Sequence, residues 1–514
     1  MIWALLLACP TVCDEGFEAI DGNCYAVEAE KPPDRLSPVQ VLRRTSLDLN
    51  GVLPTAEALD DVASRPGTLA SHQRDMLDDP RLEARLVEML GERWHTLVDD
   101  FSIQAQEFGV EEYPFERSVG EEPLRLMARI GVEDRSWRDI VLADHTMAND
   151  MLVSVFPLER DPGDAWSVAH YTDGRPPAGV LATNGFFWRY RTTVSNANRG
   201  RAAAVMKLFV CDDLALRPVS FDADALVGGT DVAIRESEAC TSCHDVLEPA
   251  ASALFGWYWF EPYNALEAST YHPEREPLGE SFLGVPGGWY GHDIDGLASL
   301  GAAVASDSRF DRCQARAFAD ALLGDDLGEN RERQDLLVED WQDNGLVLKA
   351  LLEDLVADDL YAQAPMNPLA ADQLATVFED LTGFVWTADG VDLLRSDTTG
   401  YRTMAAGVDG RFVTRASSTP SLTWTLVVKR LAEASGAYAV ENGTFFTVAQ
   451  SSTTPDDPQF AEQIEAWAWR LTASEGDVDG LTRLWWAVES TAGSDEAWVA
   501  VMSAMLRDPE LVMY

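Results

Sequence analysis

The stretch RLEARLVEMLGERWHTL, residues 81–97, is the clearest helical pattern of this chain, because its apolar side chains recur every three to four residues. This spacing is typical of an amphipathic α-helix, and it places five large side chains on one stripe: Leu82, Leu86, Met89, Leu90 and Trp94. The chain from Ser37 onward is mostly helical in pattern, and similar spacing is found in residues 316–323, 335–361 and 369–381. Strand patterns are few. The sequence therefore predicts a mainly α fold with a multi-helical body.

One stretch fits two structures equally well. Residues 437–448 contain Asn442-Gly443 at their middle, which is typical of a β-hairpin turn. The alternative makes the first half of this stretch the end of a helix that starts near Leu422. Elsewhere, Gly and Pro clusters interrupt the helical pattern at residues 174–179, 273–291 and 364–368. We take the last cluster as the boundary before a helical C-terminal domain, residues 364–514.

The charge balance disfavours one class of partner. The chain has 514 residues, of which 86 are Asp or Glu and 39 are Lys or Arg, so its formal net charge is −47. A surface this acidic repels a phosphate backbone, which argues against nucleic acid as a partner. A content of 46% hydrophobic and 24% charged residues is typical of a globular chain. No stretch approaches the roughly 18 consecutive apolar residues of a membrane-spanning helix.

The N-terminus has features of an exported chain. Residues 1–9, MIWALLLAC, form a short apolar leader whose last four residues resemble the lipobox of bacterial lipoproteins. That resemblance implies a lipid on Cys9 and a membrane anchor. The leader is shorter than usual and has no Lys or Arg before it, so a buried N-terminal strand is the alternative. Cys13 and Cys24 then bracket a polar loop, which predicts a disulfide between them, so residues 10–36 are a small stapled segment and a linker.

Cys240-Thr241-Ser242-Cys243-His244 is a C-x-x-C-H sequence, the attachment signature for c-type haem. Two thiols about one helical turn apart can add to both vinyl groups of one porphyrin, and the adjacent His244 can then bind the iron. In a chain with seven Cys and seven His, a chance match is expected on the order of once in a thousand. The motif therefore predicts haem c, held by Cys240 and Cys243, with His244 as the proximal iron ligand.

Three other interpretations of the cysteine pair remain. A thioredoxin-like redox pair would need a βαβ context, which this stretch lacks. A zinc site could recruit His272 and His292, although their spacing matches no usual zinc finger. The pair could also form a plain disulfide or stay as free thiols.

The sequence offers several candidates for the sixth iron ligand. The candidates after the motif are His272, His292, Met366 and Met404, and an open or water-occupied site is also possible. His292, in the glycine-rich stretch GGWYGH, is the first choice and Met404 the second. The aromatic block WYWF, residues 257–260, either lines the porphyrin or belongs to the core.

Several stretches resemble the planctomycete- and myxobacterial-type cytochrome c proteins that are built from PSCyt and PSD domains. RRTSLDLNGVLPT at 43–55, GERW at 91–94 and DHTMAN at 144–149 are similar to motifs of that family. Residues 240–254 look like its haem segment, with Glu248-Pro249 where the family has Asp-Pro. The resemblance covers residues 37 to 514 and is looser at the C-terminal end.

The resemblance implies a helical domain at residues 37–230 and a cytochrome c-like haem domain at residues 231–363, before the C-terminal domain. Related myxobacterial-type chains also have cysteines where Cys211 and Cys313 stand, which implies a disulfide between them. The family looks like a group of exported cytochromes in redox steps at the cell envelope, in the periplasm or at a membrane. It supplies neither a substrate nor a redox partner.

We weigh three functions. The first is a mono-haem c-type cytochrome, tethered at the envelope, that binds haem and transfers electrons. The second is a haem-dependent oxidoreductase of peroxidase type, in which the helical bulk shapes a substrate pocket. The third is a surface interaction protein with a structural haem. Hydrolase chemistry has little support, because the G-x-S-x-G, H-E-x-x-H and P-loop motifs are missing from the sequence.

Overall fold

A computed structural model of the chain describes residues 17–20, 23–26, 35–97, 101, 105–218, 236–260, 264–324, 330–363, 366–410, 412–447 and 452–514. Within these ranges the chain is mainly helical, which confirms the fold class that the apolar spacing predicts. Among the helices described, none is long and apolar enough to cross a membrane.

The helices before the C-x-x-C-H motif are α1 Pro38–Asn50, α2 Ala56–Ser64, α3 Leu69–Leu77, α4 Arg81–Trp94, α5 Glu112–Val132, α6 Asp150–Val155, α7 Asn184–Arg189 and α8 Arg199–Val210. Those of the motif and the following region are α9 Glu238–Ser252, α10 Ala265–Ser269, α11 Leu278–Leu283, α12 Leu297–Ser306, α13 Ser308–Leu323, α14 Arg331–Asp343 and α15 Leu348–Ala357. The C-terminal helices are α16 Ala371–Thr382, α17 Tyr401–Met404, α18 Leu422–Asn442, α19 Pro458–Thr472, α20 Val478–Ala492, α21 Ser494–Leu506 and α22 Pro509–Val512.

The strands are short and all pair in antiparallel fashion. They are β1 Phe17–Ile20, β2 Asn23–Ala26, β3 Thr146–Ala148, β4 Leu158–Arg160, β5 Ser167–Tyr171, β6 Gly288–Trp289, β7 His292–Asp293, β8 Thr387–Ala388 and β9 Val391–Asp392. The strands β3, β5 and β4 form a three-stranded sheet in that order, and the others form two-stranded hairpins.

Local signals set the ends of the helices. α1 begins with a capping box, in which the Ser37 hydroxyl accepts from the Gln40 amide and the Gln40 side chain accepts from the Ser37 amide. It ends at Gly51, whose φ of 69° lies in the left-handed region that favours glycine. In α4 the apolar stripe of the sequence is buried, at Leu82, Leu86, Leu90 and Trp94.

The helical alternative for residues 437–448 is right, and the β-hairpin is wrong over the residues described there. α18 runs to Asn442, and Gly443 ends it with a φ of 66° and an amide that donates to the carbonyl oxygen of Ala439. An Asn-Gly pair suits a hairpin turn, but it suits a helix C-terminus equally well, because both need a left-handed residue. The burial of Val428, Leu431 and Ala439 at helical spacing favours the helix.

The described apolar side chains form two large cores and a smaller cluster around Phe115 and Trp188. The N-terminal core draws on residues between 41 and 362, and the C-terminal core on residues from 369 to 512 together with Leu47 and Leu53. Leu42 of α1 faces the first core and Leu47 the second, so α1 lies between them. α9, which carries the motif, contributes Leu247, Ala250 and Ala251 to the N-terminal core, and Ala253 follows directly after the helix.

Candidate haem-binding site

The C-x-x-C-H motif occupies the first turns of α9. The amides of Cys240 and Thr241 both donate to the carbonyl oxygen of Ser237, 2.9 Å away, which starts the helix. Cys240 and Cys243 stand three residues apart, so their side chains point to the same side of the helix. Both are reduced and partly exposed. The helix therefore presents two accessible thiols one turn apart.

His244 is held by a carboxylate on the next turn of the same helix. Its Nδ1 lies 2.6 Å from Oε1 of Glu248. A carboxylate oxygen accepts hydrogen bonds, so Nδ1 carries the proton and Nε2 keeps the lone pair that a metal needs. The imidazole side chain is 23% exposed.

Glu248 is buried and ionic. Its side chain is 8% exposed, and its Oε1 also accepts a hydrogen bond of 2.6 Å from Nε of Arg199, at the start of α8. Its other oxygen, Oε2, is buried and has no hydrogen-bond partner among the described residues. Burial alone would raise the pKa of Glu248, but the hydrogen bonds and charges of His244 and Arg199 outweigh burial and lower that pKa.

Residues 211–217, which we call the flanking segment, lie beside the motif. The Leu214 carbonyl oxygen is 3.9 Å from Sγ of Cys243, and the Arg217 guanidinium donates to the carbonyl oxygen of Ser242. Asp212 holds Arg217 through a hydrogen bond of 2.5 Å. The segment begins at Cys211, which forms a disulfide with Cys313 of α13.

The hairpin of β6 and β7 packs against α9. A Cβ on Gly288 would lie 2.9 Å from Cβ of Pro249, so the glycine allows this close approach. The Tyr290 hydroxyl, between the strands, donates to Asp212 of the flanking segment at 2.5 Å. His292, the predicted distal ligand, lies on β7 with an exposed side chain. The structure therefore places the hairpin that carries His292 beside α9, but the imidazole of His292 is exposed.

The other candidates for the sixth ligand are within hydrogen-bond distance of other groups, packed against the C-terminal core or exposed. The two ring nitrogens of His272 lie within hydrogen-bond distance of Glu274 and of the Glu267 carbonyl oxygen. Met404 packs against the C-terminal core, whereas α9 belongs to the N-terminal core. Met366 is 46% exposed.

Most of the aromatic block at residues 257–260 belongs to the core. Trp257, Tyr258 and Trp259 are buried, and Trp257 stacks on Phe187 with ring centroids 4.7 Å apart. Phe260 is 49% exposed. The sequence allowed either a lining of the porphyrin or a place in the core, and the three buried rings lie in the core.

The remaining cysteine predictions fall on the N-terminal residues. Cys9 and Cys13 lie outside the described residues, and of Cys24 only the strand backbone is described, so the lipid on Cys9 and the Cys13–Cys24 disulfide stay predictions. Within the described ranges, no three His, Cys, Asp or Glu side chains are grouped to hold a metal ion, so the zinc alternative gains no support.

Sequence reasoning missed the two side chains, Glu248 and Arg199, that form hydrogen bonds behind His244. The four-residue spacing of His244 and Glu248 could have predicted their contact, because residues four apart lie on the same face of a helix. The contact with Arg199 could not be predicted in this way, because 49 residues separate Arg199 from Glu248. Comparisons of the chain with protein-family models, curated proteins and solved structures found no match.

Proposed function

We propose that this chain is an envelope-tethered, mono-haem c-type cytochrome that transfers single electrons. The main support is the geometry of the motif on α9. Cys240 and Cys243 offer accessible thiols one helical turn apart, and the hydrogen bond to Glu248 leaves Nε2 of His244 available as an iron ligand. The donor set fits a c-type haem in the identity, the spacing and the protonation of its atoms.

The chain's own residues would do two things. Cys240 and Cys243 would hold the porphyrin covalently, because each Sγ–H would add across one vinyl C=C bond to give a thioether, with the proton on the other vinyl carbon and no leaving group. Nε2 of His244 would bind the iron. When bound, haem c supplies a one-electron iron(III)/iron(II) couple. The donor and acceptor are redox partners, and the net charge of −47 favours partners with a basic docking face.

Two observations support an exported location. Disulfides persist in oxidising compartments, and Cys211 and Cys313 form one. The N-terminal leader resembles that of a lipoprotein, with the lipid on Cys9 as the membrane anchor. We infer that the protein works in the periplasm or on the cell envelope.

The carboxylate on His244 also favours a second candidate, a haem-dependent oxidoreductase of peroxidase type. A carboxylate that accepts a hydrogen bond from Nδ1–H makes the imidazole a more electron-rich ligand, which suits chemistry at an open sixth site. Cyanide binding to the ferric protein separates the two functions. Rapid binding supports an open catalytic site, whereas resistance to cyanide supports an electron carrier with both axial positions filled.

A pyridine haemochrome assay tests the proposal directly. The protein is made with a cytochrome c maturation system, beside the variant Cys240→Ala/Cys243→Ala. The matched control is Thr241→Ala/Ser242→Ala, which makes two alanine changes but keeps C-x-x-C-H. We expect one covalent haem per chain in the wild type and the control, and none in the cysteine variant. A wild-type protein without covalent haem would refute the proposed function.

A further inference from the structure

We propose that Glu248, held in place by Arg199, is a positioning residue that acts through His244 to lower the reduction potential of the bound haem. This inference rests on the proposed function, because it concerns the iron that His244 would bind. It goes further by assigning to a fourth and a fifth residue, beyond the three of the motif, the control of how readily the protein gives up an electron.

The geometry provides the first argument. The Nδ1 of His244 and the Nε of Arg199 both lie 2.6 Å from the same oxygen of Glu248. These are charge-assisted hydrogen bonds at the short end of the usual range. A histidine that donates its second ring proton to a carboxylate is a stronger electron donor through its other nitrogen. Stronger donation stabilises ferric over ferrous iron, so the reduction potential falls.

Burial provides the second argument. The Glu248 side chain is 8% exposed and its second oxygen is buried without a partner among the described residues, so little water screens its charge. Arg199 is the counter-charge, and it also donates to the carbonyl oxygens of Ser195 and Asn196. Arg199 is thus anchored to the chain just before α8. The positive charge of Arg199 partly neutralises the carboxylate that faces His244. Glu248 therefore lowers the reduction potential, and Arg199 raises it.

The test is a spectroelectrochemical titration of the haem-loaded protein. Glu248→Gln removes the negative charge, and we expect the equilibrium to shift at least tenfold toward the ferrous form, a rise of about 59 mV for one electron. Arg199→Gln leaves the carboxylate without its counter-charge, and we expect the potential to fall below that of the wild type. The matched control is Asp245→Asn, which removes an exposed carboxylate next to His244 and should shift the equilibrium less than twofold.

Opposite shifts in the two variants support the inference, because a merely structural role would not move the potential in two directions. The inference is overturned if Glu248→Gln behaves like Asp245→Asn, or if Arg199→Gln raises the potential. If Glu248→Gln fails to fold, the direction of the Arg199→Gln shift decides alone. Covalent haem is counted in every sample. Wild-type protein without it would refute the proposed function and this inference together, whereas haem-loaded variants with unchanged potentials would refute the inference only.

Discussion

His95 ends α4 in a left-handed conformation, with φ of 54°, and its Nε2 lies 3.0 Å from the carbonyl oxygen of Thr414, to which it donates. Arg189 donates in turn to the backbone oxygen of His95 at 2.7 Å. Burial of the imidazole is the main reason that its pKa falls to about 4 from the ordinary value of 6.5. His95 is therefore neutral in the folded protein at pH values where the unfolded chain already binds a proton.

This difference predicts a loss of stability in mild acid. Between pH 6.5 and 4 the unfolded state holds more protons than the folded state, so the His95 contribution to the free energy of unfolding falls as the pH falls through this window. The variant His95→Asn removes the titration, and Asn tolerates the left-handed conformation. We expect the melting temperature of the wild type to drop more steeply across the window than that of the variant, as measured by calorimetry. Parallel curves would contradict the prediction.

At the scale of single elements, Gly443 closes α18 by conformation alone. Its φ is 66°, and a Cβ built on it meets no heavy atom within 4 Å. We therefore expect Gly443→Ala to lower the free energy of unfolding by about 1 kcal/mol, because a left-handed residue with a Cβ is strained. Gly67 is the matched control, since its surroundings are equally open and its φ is not positive. Gly67→Ala should leave urea stability unchanged or raise it slightly. Equal losses in both variants would count against the C-cap role of Gly443.

The elements also show how far the sequence alone could lead. Apolar side chains every three to four residues predict helices such as α4 and α16, because the core buries one stripe of each. The same criterion could not choose between helix and hairpin near Asn442, since the local turn chemistry fits both. Residues 335–361 keep one helical pattern, but the structure divides them between α14 and α15, because Gly345 and Leu346 both adopt positive φ.

At the candidate site, the residues that are neighbours in the sequence could be predicted. The contacts between residues far apart in the sequence could not. The motif residues Cys240, Cys243 and His244 are consecutive enough to be recognised on one helix. The Arg199 contact and the flanking segment at residues 211–217 depend on packing between α8, α9 and the hairpin that contains Tyr290. The exposed His292 shows the same limit, because a loop sequence gives no information on which side of a hairpin a side chain will lie.

On the scale of the whole molecule, α1 joins the two cores through buried polar contacts. Arg43 donates to the carbonyl oxygens of Leu471 and Leu511 in the C-terminal part. Asp48, on the same helix, accepts hydrogen bonds from the hydroxyls of Tyr361 and Tyr514, at 2.7 and 2.8 Å. The N-terminal stretch RRTSLDLN thus supplies groups to both cores, which explains why a polar stretch can be buried along its length.

The Cys211–Cys313 disulfide is the longest-range covalent constraint among the described residues, because 102 residues separate its ends. It ties the end of α8 to α13 and anchors the flanking segment beside the motif. Its removal by Cys211→Ser/Cys313→Ser is expected to lower the free energy of unfolding by about 2–4 kcal/mol, since the unfolded chain regains the freedom of a long loop. Urea unfolding measures the loss. Dithiothreitol is the control, because it should shift the wild-type midpoint by a similar amount and leave the variant unchanged. If the oxidised wild type and the variant unfold at the same urea concentration, the bond does not stabilise the native protein.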